Sequence, residues 1–168
     1  MVTGPESTGK TNIANYLADK FQGIWVPEYA RYYVENLKSN YDYKDIETIA
    51  KKQVEDYHYY SGKGSSLVIF DTWLIITKIW FKVVYKKYPL WIDERIKDLK
   101  IDLYLLCSPD LQWQPDPVRE NAGNMRQKLF QTYEKEIRNT GVPFGIVSGH
   151  GEVRFKIAEG HVRNFLKL

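Results

Sequence analysis

The residues Gly4-Pro5-Glu6-Ser7-Thr8-Gly9-Lys10-Thr11 match the pattern G-x-x-x-x-G-K-[ST] in full, and each specified type has a physical reason. Glycines let the backbone turn its N–H groups around an anion without a Cβ clash. A helix opening near Lys10 would add the positive end of its dipole to the same anion. The Lys10 ammonium can then reach the β- and γ-phosphates of ATP, and the Thr11 hydroxyl can sit on Mg²⁺. A Gly-rich turn without a ligand is the plainer reading. The apolar strand expected before it and the amphipathic helix expected after it favour a phosphate loop. Glu6, inside the loop, either reaches substrate or holds the loop itself.

A metal-bound phosphate calls for a nearby acid, and Leu67-Val68-Ile69-Phe70-Asp71 puts one at the end of an apolar run. Asp71 would hold Mg²⁺ or accept the proton of an attacking hydroxyl; a solvated strand cap is the ordinary alternative. Guanidinium groups can neutralise charge on a transferred phosphoryl group. Arg119 and Arg126 stand in a stretch rich in proline and polar residues, about 109–126, of the kind that forms a lid. Surface ion pairs are the competing role for both. Glu28 ends another apolar run, where an acid can bind ribose hydroxyls. Arg31 either contacts phosphate or pins Glu28.

These residues need a scaffold. The runs Met1–Thr3, Ile24–Val26, Leu67–Phe70, Leu103–Leu106 and Phe144–Val147 are continuous rather than alternating, which predicts parallel strands covered on both faces. Helices are predicted over Lys10–Phe21, Glu28–Lys38, Asp45–Tyr60, Trp73–Lys87, Trp91–Leu99, Asn124–Thr140 and Glu152–Leu166. In the first, Ile13, Leu17 and Phe21 mark a buried stripe. The alternation predicts a single α/β domain over residues 1–168, with helices on both faces of a mostly parallel sheet of about five strands. Each run is followed by Gly, Pro, acid or hydroxyl: Gly4, Pro27 and Glu28, Asp71 and Thr72, Pro109 and Asp110, Ser148 and Gly149. Ligands bind beyond the carboxyl ends of such strands, so these positions should share one crevice. The first run is short; either the strand is short or the natural chain begins upstream of Met1.

Composition narrows the partners. The chain has 168 residues, 43% hydrophobic and 27% charged, which are globular values. A formal charge of +3 and the lack of a basic run argue against nucleic acid. No apolar run approaches the roughly 20 residues that span a bilayer, and no signal peptide is evident, so a cytoplasmic protein is expected. Cys107 is the single cysteine, which excludes an internal disulfide and a Cys-based metal site. His58, His150 and His161 show no metal spacing. Aromatics reach 15%, with 13 Tyr and 5 Trp, suiting both cores and flat-ring ligands. Tyr29, Tyr32 and Tyr33 fall one helical turn apart, so some must face the core.

Taken in order, the phosphate loop, Trp25-Val26-Pro27-Glu28-Tyr29-Ala30-Arg31, Asp71-Thr72 with Thr77-Lys78-Ile79-Trp80, and the Arg119/Arg126 segment make a more specific pattern. It resembles the ribosylnicotinamide kinase domain at the C-terminal end of bacterial NadR proteins, over nearly the whole chain. NadR proteins carry an adenylyltransferase domain ahead of this part. The resemblance implies a P-loop α/β/α fold with a lid, like that of nucleoside and nucleotide kinases. It also implies transfer of the γ-phosphate of ATP to the 5′-hydroxyl of nicotinamide riboside. ATP would be held by Gly4, Glu6, Ser7, Thr8, Gly9, Lys10, Thr11 and Asn12, with Gly149 beside adenine. Mg²⁺ would lie on Thr11 and Asp71. The acceptor would meet Glu28, Tyr29, Arg31, Tyr32, Asp71 and Trp80, whose acids and rings suit a positively charged pyridinium. Lys10, Asp71, Arg119 and Arg126 would carry the transfer. The wider family includes members described only as ATPases or nucleotide-binding domains.

Overall fold

The five apolar runs become strands close to where the sequence puts them. In the computed structural model, which describes residues 1–121 and 123–168, they are β1 (Val2–Thr3), β2 (Ile24–Val26), β3 (Val68–Phe70), β4 (Tyr104–Cys107) and β5 (Phe144–Val147). Ala122, within the predicted lid stretch, lies outside the described residues. Every pairing is parallel: β1 with β4, β4 with β5, and β2 with β3. A further parallel bridge joins Val2 to Asp71, and the Thr72 N–H donates to the Val2 carbonyl at 3.0 Å. The spatial order is therefore β2-β3-β1-β4-β5. The short first strand is extended by the Met1 carbonyl, which accepts from Leu105 N–H at 2.8 Å.

Strand pleating builds two cores, one on each face. Tyr104 and Leu106 of β4 point into a cluster with Trp73, Leu74, Ile79, Phe81, Ile92 and Ile137. Their neighbours Leu105 and Cys107 point the other way, to Val2, Ile13, Leu17, Val147, Ala158 and Val162. Helices α3 (Tyr43–Ser61), α4 (Leu74–Tyr85), α5 (Trp91–Asp98) and α6 (Asn124–Thr140) cover the first face. Helices α1 (Lys10–Phe21) and α7 (Gly151–Leu166) cover the second. This is the three-layer α/β/α arrangement that continuous apolar strands require. Each fully buried Leu or Ile contributes about 1.5–3 kcal/mol.

Local signals set the helix ends. Asp42 and Asp45 form a reciprocal capping box that starts α3, and Asp45 also accepts the Tyr33 hydroxyl at 2.8 Å, tying α2 (Tyr29–Glu35) to α3. Helix α2 stops at Glu35, short of the predicted Lys38. The Asn36 side-chain amide donates to the Tyr32 carbonyl at 2.7 Å, offering the backbone a non-helical partner. Lys86, left-handed at φ 57°, caps α4, which ends at Tyr85, two residues before the predicted Lys87.

Two further features knit the periphery. Lys78, 8% exposed, sends its ammonium from α4 to Glu136 of α6 (2.6 Å) and Asp93 of α5 (2.7 Å), while Lys82 also reaches Glu136 at 2.6 Å. At the β5 edge the His161 ring lies against Gly145, where an added Cβ would come within 2.4 Å of it. The Nε2 of that ring donates to the Ile146 carbonyl at 3.1 Å.

Candidate active site

The loop from Gly4 to Gly9 leaves β1 and runs into α1. Gly4, at φ 137°, passes so close to the end of β4 that a Cβ there would sit 2.6 Å from the Cys107 carbonyl oxygen. Gly9 caps α1 in the left-handed region at φ 73°. The Thr8 hydroxyl donates to the Pro5 carbonyl at 2.8 Å, and Lys10 Nζ crosses the loop to the same oxygen at 2.9 Å. Among the described residues the N–H groups of Ser7, Thr8 and Gly9 donate to no protein acceptor. N–H groups without a protein acceptor and an ammonium thus come together at the N-terminus of α1, an arrangement that can hold an anion.

Asp71 is fixed by the sheet. Its N–H donates to Val26 of β2 at 2.9 Å and its backbone bridges Val2 of β1, which puts its carboxylate beside the loop. Thr11 Oγ1 donates to Asp71 Oδ2 at 2.5 Å. The other oxygen, Oδ1, is buried with no partner among the described residues, in a residue 2% exposed. Burial pushes the carboxyl above its ordinary range, against the pull of the Thr11 hydroxyl and Lys10. Thr72 follows at φ 73°, a conformation β-branched residues avoid, so local strain is held at this corner. Glu28, which caps α2 at the end of β2, has its carboxyl raised by removal from water; Lys10 pulls it down and Asp71 pushes it further up.

These atoms suit a hard cation of the Mg²⁺ type. Such an ion takes one or two protein oxygens and leaves its other positions to phosphates and water. The Thr11 hydroxyl and the partnerless Asp71 Oδ1 offer that set, and among the described residues no group of three acids, histidines or cysteines forms a closed metal cage.

The stretch predicted as a lid lies against the loop. The Glu6 carboxylate accepts from the N–H groups of Glu120 (3.1 Å) and Asn121 (2.9 Å) and from Asn121 Nδ2 (2.9 Å), so it acts as a clasp. Ser7 Oγ accepts the Gln114 N–H at 2.9 Å. Arg31 pairs with Asp116 Oδ2 at 2.9 Å and Glu35 at 3.0 Å, linking α2 to the same stretch, and its charge also favours the Glu28 carboxylate. Arg119 stays inside the stretch, donating to the Gln114 carbonyl at 2.7 Å and lying 3.8 Å from Asp116. Arg126 turns to the loop itself. All three of its guanidinium nitrogens are committed to backbone carbonyls: Glu6 (3.1 Å), Leu111 (2.9 Å) and Ser7 (2.9 Å).

At the sheet's carboxyl edge, Pro27, Tyr29, Gln53, Asp56, Asp71 and Thr72 line a recess with a cavity of about 10 Å³, room for about one water. Tyr29 therefore joins Asp71 there, whereas Tyr32 points outward at 64% exposure. Trp80 packs edge-on to Tyr41, centroids 4.8 Å apart, and Tyr41 in turn bonds the Glu120 carboxylate at 2.8 Å. Trp80 thus meets the lid stretch through Tyr41 and does not line the recess. Asn12 lies in the first turn of α1. The Gly149 N–H donates to Asp110 Oδ2 at 2.6 Å, so that group is occupied by the protein itself.

One participant was missed in the sequence. Arg154 of α7, 3% exposed, donates to Asp110 (2.5 Å), to the Gly149 carbonyl (3.0 Å), to Thr8 of the loop (2.8 Å) and to Ser108 (2.9 Å). Its signal was available: Arg154, Ala158 and Val162 recur every four residues, so an arginine stands on a buried stripe.

A family model described as AAA domain matches residues 1–154. The trifunctional NAD biosynthesis/regulator proteins NadR of Salmonella typhimurium and Escherichia coli are each 24% identical over 134 residues, 77% of this chain. The chain spans about a third (33%) of the length of these curated relatives. Among solved structures, NadR in complex with NR superposes with a TM-score of 0.81 at 19% identity, covering 99% of this chain and 50% of that one. NadR with NAD and AMP-PNP gives 0.82 at 20% identity, over 99% and 49%. Deoxyadenosine kinase from M. mycoides with dCMP and dCDP gives 0.65 at 16% identity, over 99% and 98%. The likenesses show a shared fold.

Proposed function

The chain belongs to the AAA domain family, and on that footing we propose that it is an ATP-dependent kinase phosphorylating the 5′-hydroxyl of nicotinamide riboside. The observation that carries the reading is the meeting of Lys10, Thr11 and the partnerless Asp71 oxygen at the exit of a parallel sheet, with Glu28 at the adjoining strand end. Phosphoryl transfer asks little covalent chemistry of a protein; positioning and charge stabilisation suffice.

In this reading the loop N–H groups and Lys10 hold the β- and γ-phosphates of ATP. Thr11 and Asp71 would hold Mg²⁺, which would supply neutralising charge for the phosphates. The acceptor oxygen bonds to the γ-phosphorus as the bond to the β-bridging oxygen breaks, and ADP leaves. The hydroxyl proton passes to a carboxylate. Asp71 already holds Thr11, so Glu28 is the better placed of the two for the proton and the ribose. Burial raises its pKa, the direction that makes a carboxylate a stronger base. Tyr29 lines the recess beside Asp71, on the side where the acceptor would lie, and Arg119 would stabilise the transferring group once released from its contacts to Gln114 and Asp116 in the lid stretch.

The NadR complex with NR supports this acceptor. A deoxynucleoside acceptor is the second reading, favoured by a deoxyadenosine kinase whose chain this one covers to 98%. ADP release measured with nicotinamide riboside against a panel of deoxynucleosides separates them. Turnover with nicotinamide riboside is expected; turnover with deoxynucleosides alone overturns the assignment. Tight ATP binding without a phosphorylated product from any acceptor would instead indicate a regulatory ATPase module. Asp71→Asn is expected to lose transfer by orders of magnitude while still folding.

A further inference from the structure

Three consecutive loop carbonyls are gripped from outside. Arg126 takes those of Glu6 and Ser7, at 3.1 and 2.9 Å, and Arg154 takes that of Thr8 at 2.8 Å. In a planar trans peptide the carbonyl of one residue and the N–H of the next point in opposite directions. Fixing the carbonyls of Glu6, Ser7 and Thr8 outward therefore turns the N–H groups of Ser7, Thr8 and Gly9 inward. Those are the groups with no protein acceptor among the described residues.

Both guanidiniums are themselves anchored. Arg126, 6% exposed, also bonds the Leu111 carbonyl, and Arg154, 3% exposed, bonds Ser108, Gly149 and Asp110. They arrive from different helices, α6 and α7, and both tie the loop to the chain leaving β4. A guanidinium is a planar fork that can span neighbouring carbonyls at fixed angles; an ammonium is a point charge that cannot.

We propose that Arg126 and Arg154 are positioning residues, bracing the loop from behind so that three successive N–H groups converge on the nucleotide's terminal phosphates. This rests on reading the loop as a nucleotide site. It assigns Arg126 a role other than contact with the transferred phosphoryl group. Preorganised donors cost no reorganisation when the anion arrives, which is where their effect on binding and rate originates.

The test separates geometry from charge. Arg126→Lys and Arg154→Lys keep the positive charge and remove the fork. Calorimetry with Mg-ADP is expected to show affinity falling by roughly tenfold to a hundredfold in each. In amide NMR, the response of Ser7, Thr8 and Gly9 to pyrophosphate is expected to collapse while the rest of the spectrum stays dispersed. Lysine variants that bind Mg-ADP like the wild type overturn the proposal. A lysine variant that does not fold leaves a measurement on the wild type. The side-chain N–H signals of Arg126 and Arg154 should hold still as pyrophosphate is added, and a shift carrying either guanidinium onto the anion overturns it. Asp110→Asn, which loosens Arg154 and the Gly149 N–H bond while leaving every Arg126 hydrogen bond in place, is expected to weaken Mg-ADP severalfold; unchanged affinity there removes Arg154 from the assignment. A wild-type chain that binds neither ADP nor pyrophosphate overturns the nucleotide reading itself, and the brace with it.

Discussion

Two carboxyls held above their ordinary range at one corner of the sheet link protonation to stability and to chemistry at once. For Glu28 the cause is removal from water, reinforced by Asp71. A carboxyl raised in the folded state binds more protons folded than unfolded, so stability falls as pH rises from the ordinary carboxylate range through the raised value. Glu28→Gln removes that burden. Its thermal midpoint is expected to exceed the wild type's at neutral pH and to match it well below the carboxylate range, while phosphoryl transfer drops by orders of magnitude. Scanning calorimetry and a rate assay at both pH values check this; an active variant with an unchanged midpoint would contradict it. At this scale the sequence was informative about types and poor about partners. Lys10, Thr11 and Asp71 declared themselves through motif and strand end. Arg126 and Arg154 did not, because their partners are carbonyls that no pattern encodes.

Among the elements, the loop and the lid stretch are joined through one side chain. Glu6 holds the N–H groups of Glu120 and Asn121 together with the Asn121 amide. Glu6→Ala leaves these donors to water. Limited proteolysis between residues 112 and 121 is expected to run roughly tenfold faster, since the free energy of local opening sets the cleavage rate. The KM for ATP should rise in parallel; an unchanged cleavage rate would show the clasp to be idle. The helices were well marked in sequence: α1 and α6 begin and end at the predicted residues, because each starts just after a glycine and carries a regular apolar stripe. The clasp was not, because an acid inside a phosphate loop reads equally as ligand contact and as loop support. Its partners lie more than a hundred residues away.

For the molecule as a whole, the sheet order follows from one bridge, Val2 to Asp71, that unites a two-stranded and a three-stranded parallel sheet. Periodicity predicted five parallel strands but carries no information on their order. The face bearing α4, α5 and α6 is further held by Lys78, whose side chain is 10% exposed and faces Glu136 and Asp93. Lys78→Ala leaves Glu136 short of a partner and is expected to cost about 3 kcal/mol, read from the denaturant midpoint at constant m. A loss within error of zero would mean that Lys82 carries the network alone. At the opposite rim, β5 ends the sheet, and the His161 imidazole covers Gly145 and holds the Ile146 carbonyl. An outermost strand with bare carbonyls is a template for pairing with a foreign strand. The imidazole shields part of that rim, so His161→Ala is expected to leave the corner of the Gly4–Gly9 loop untouched and make concentrated solutions prone to edge-to-edge aggregation.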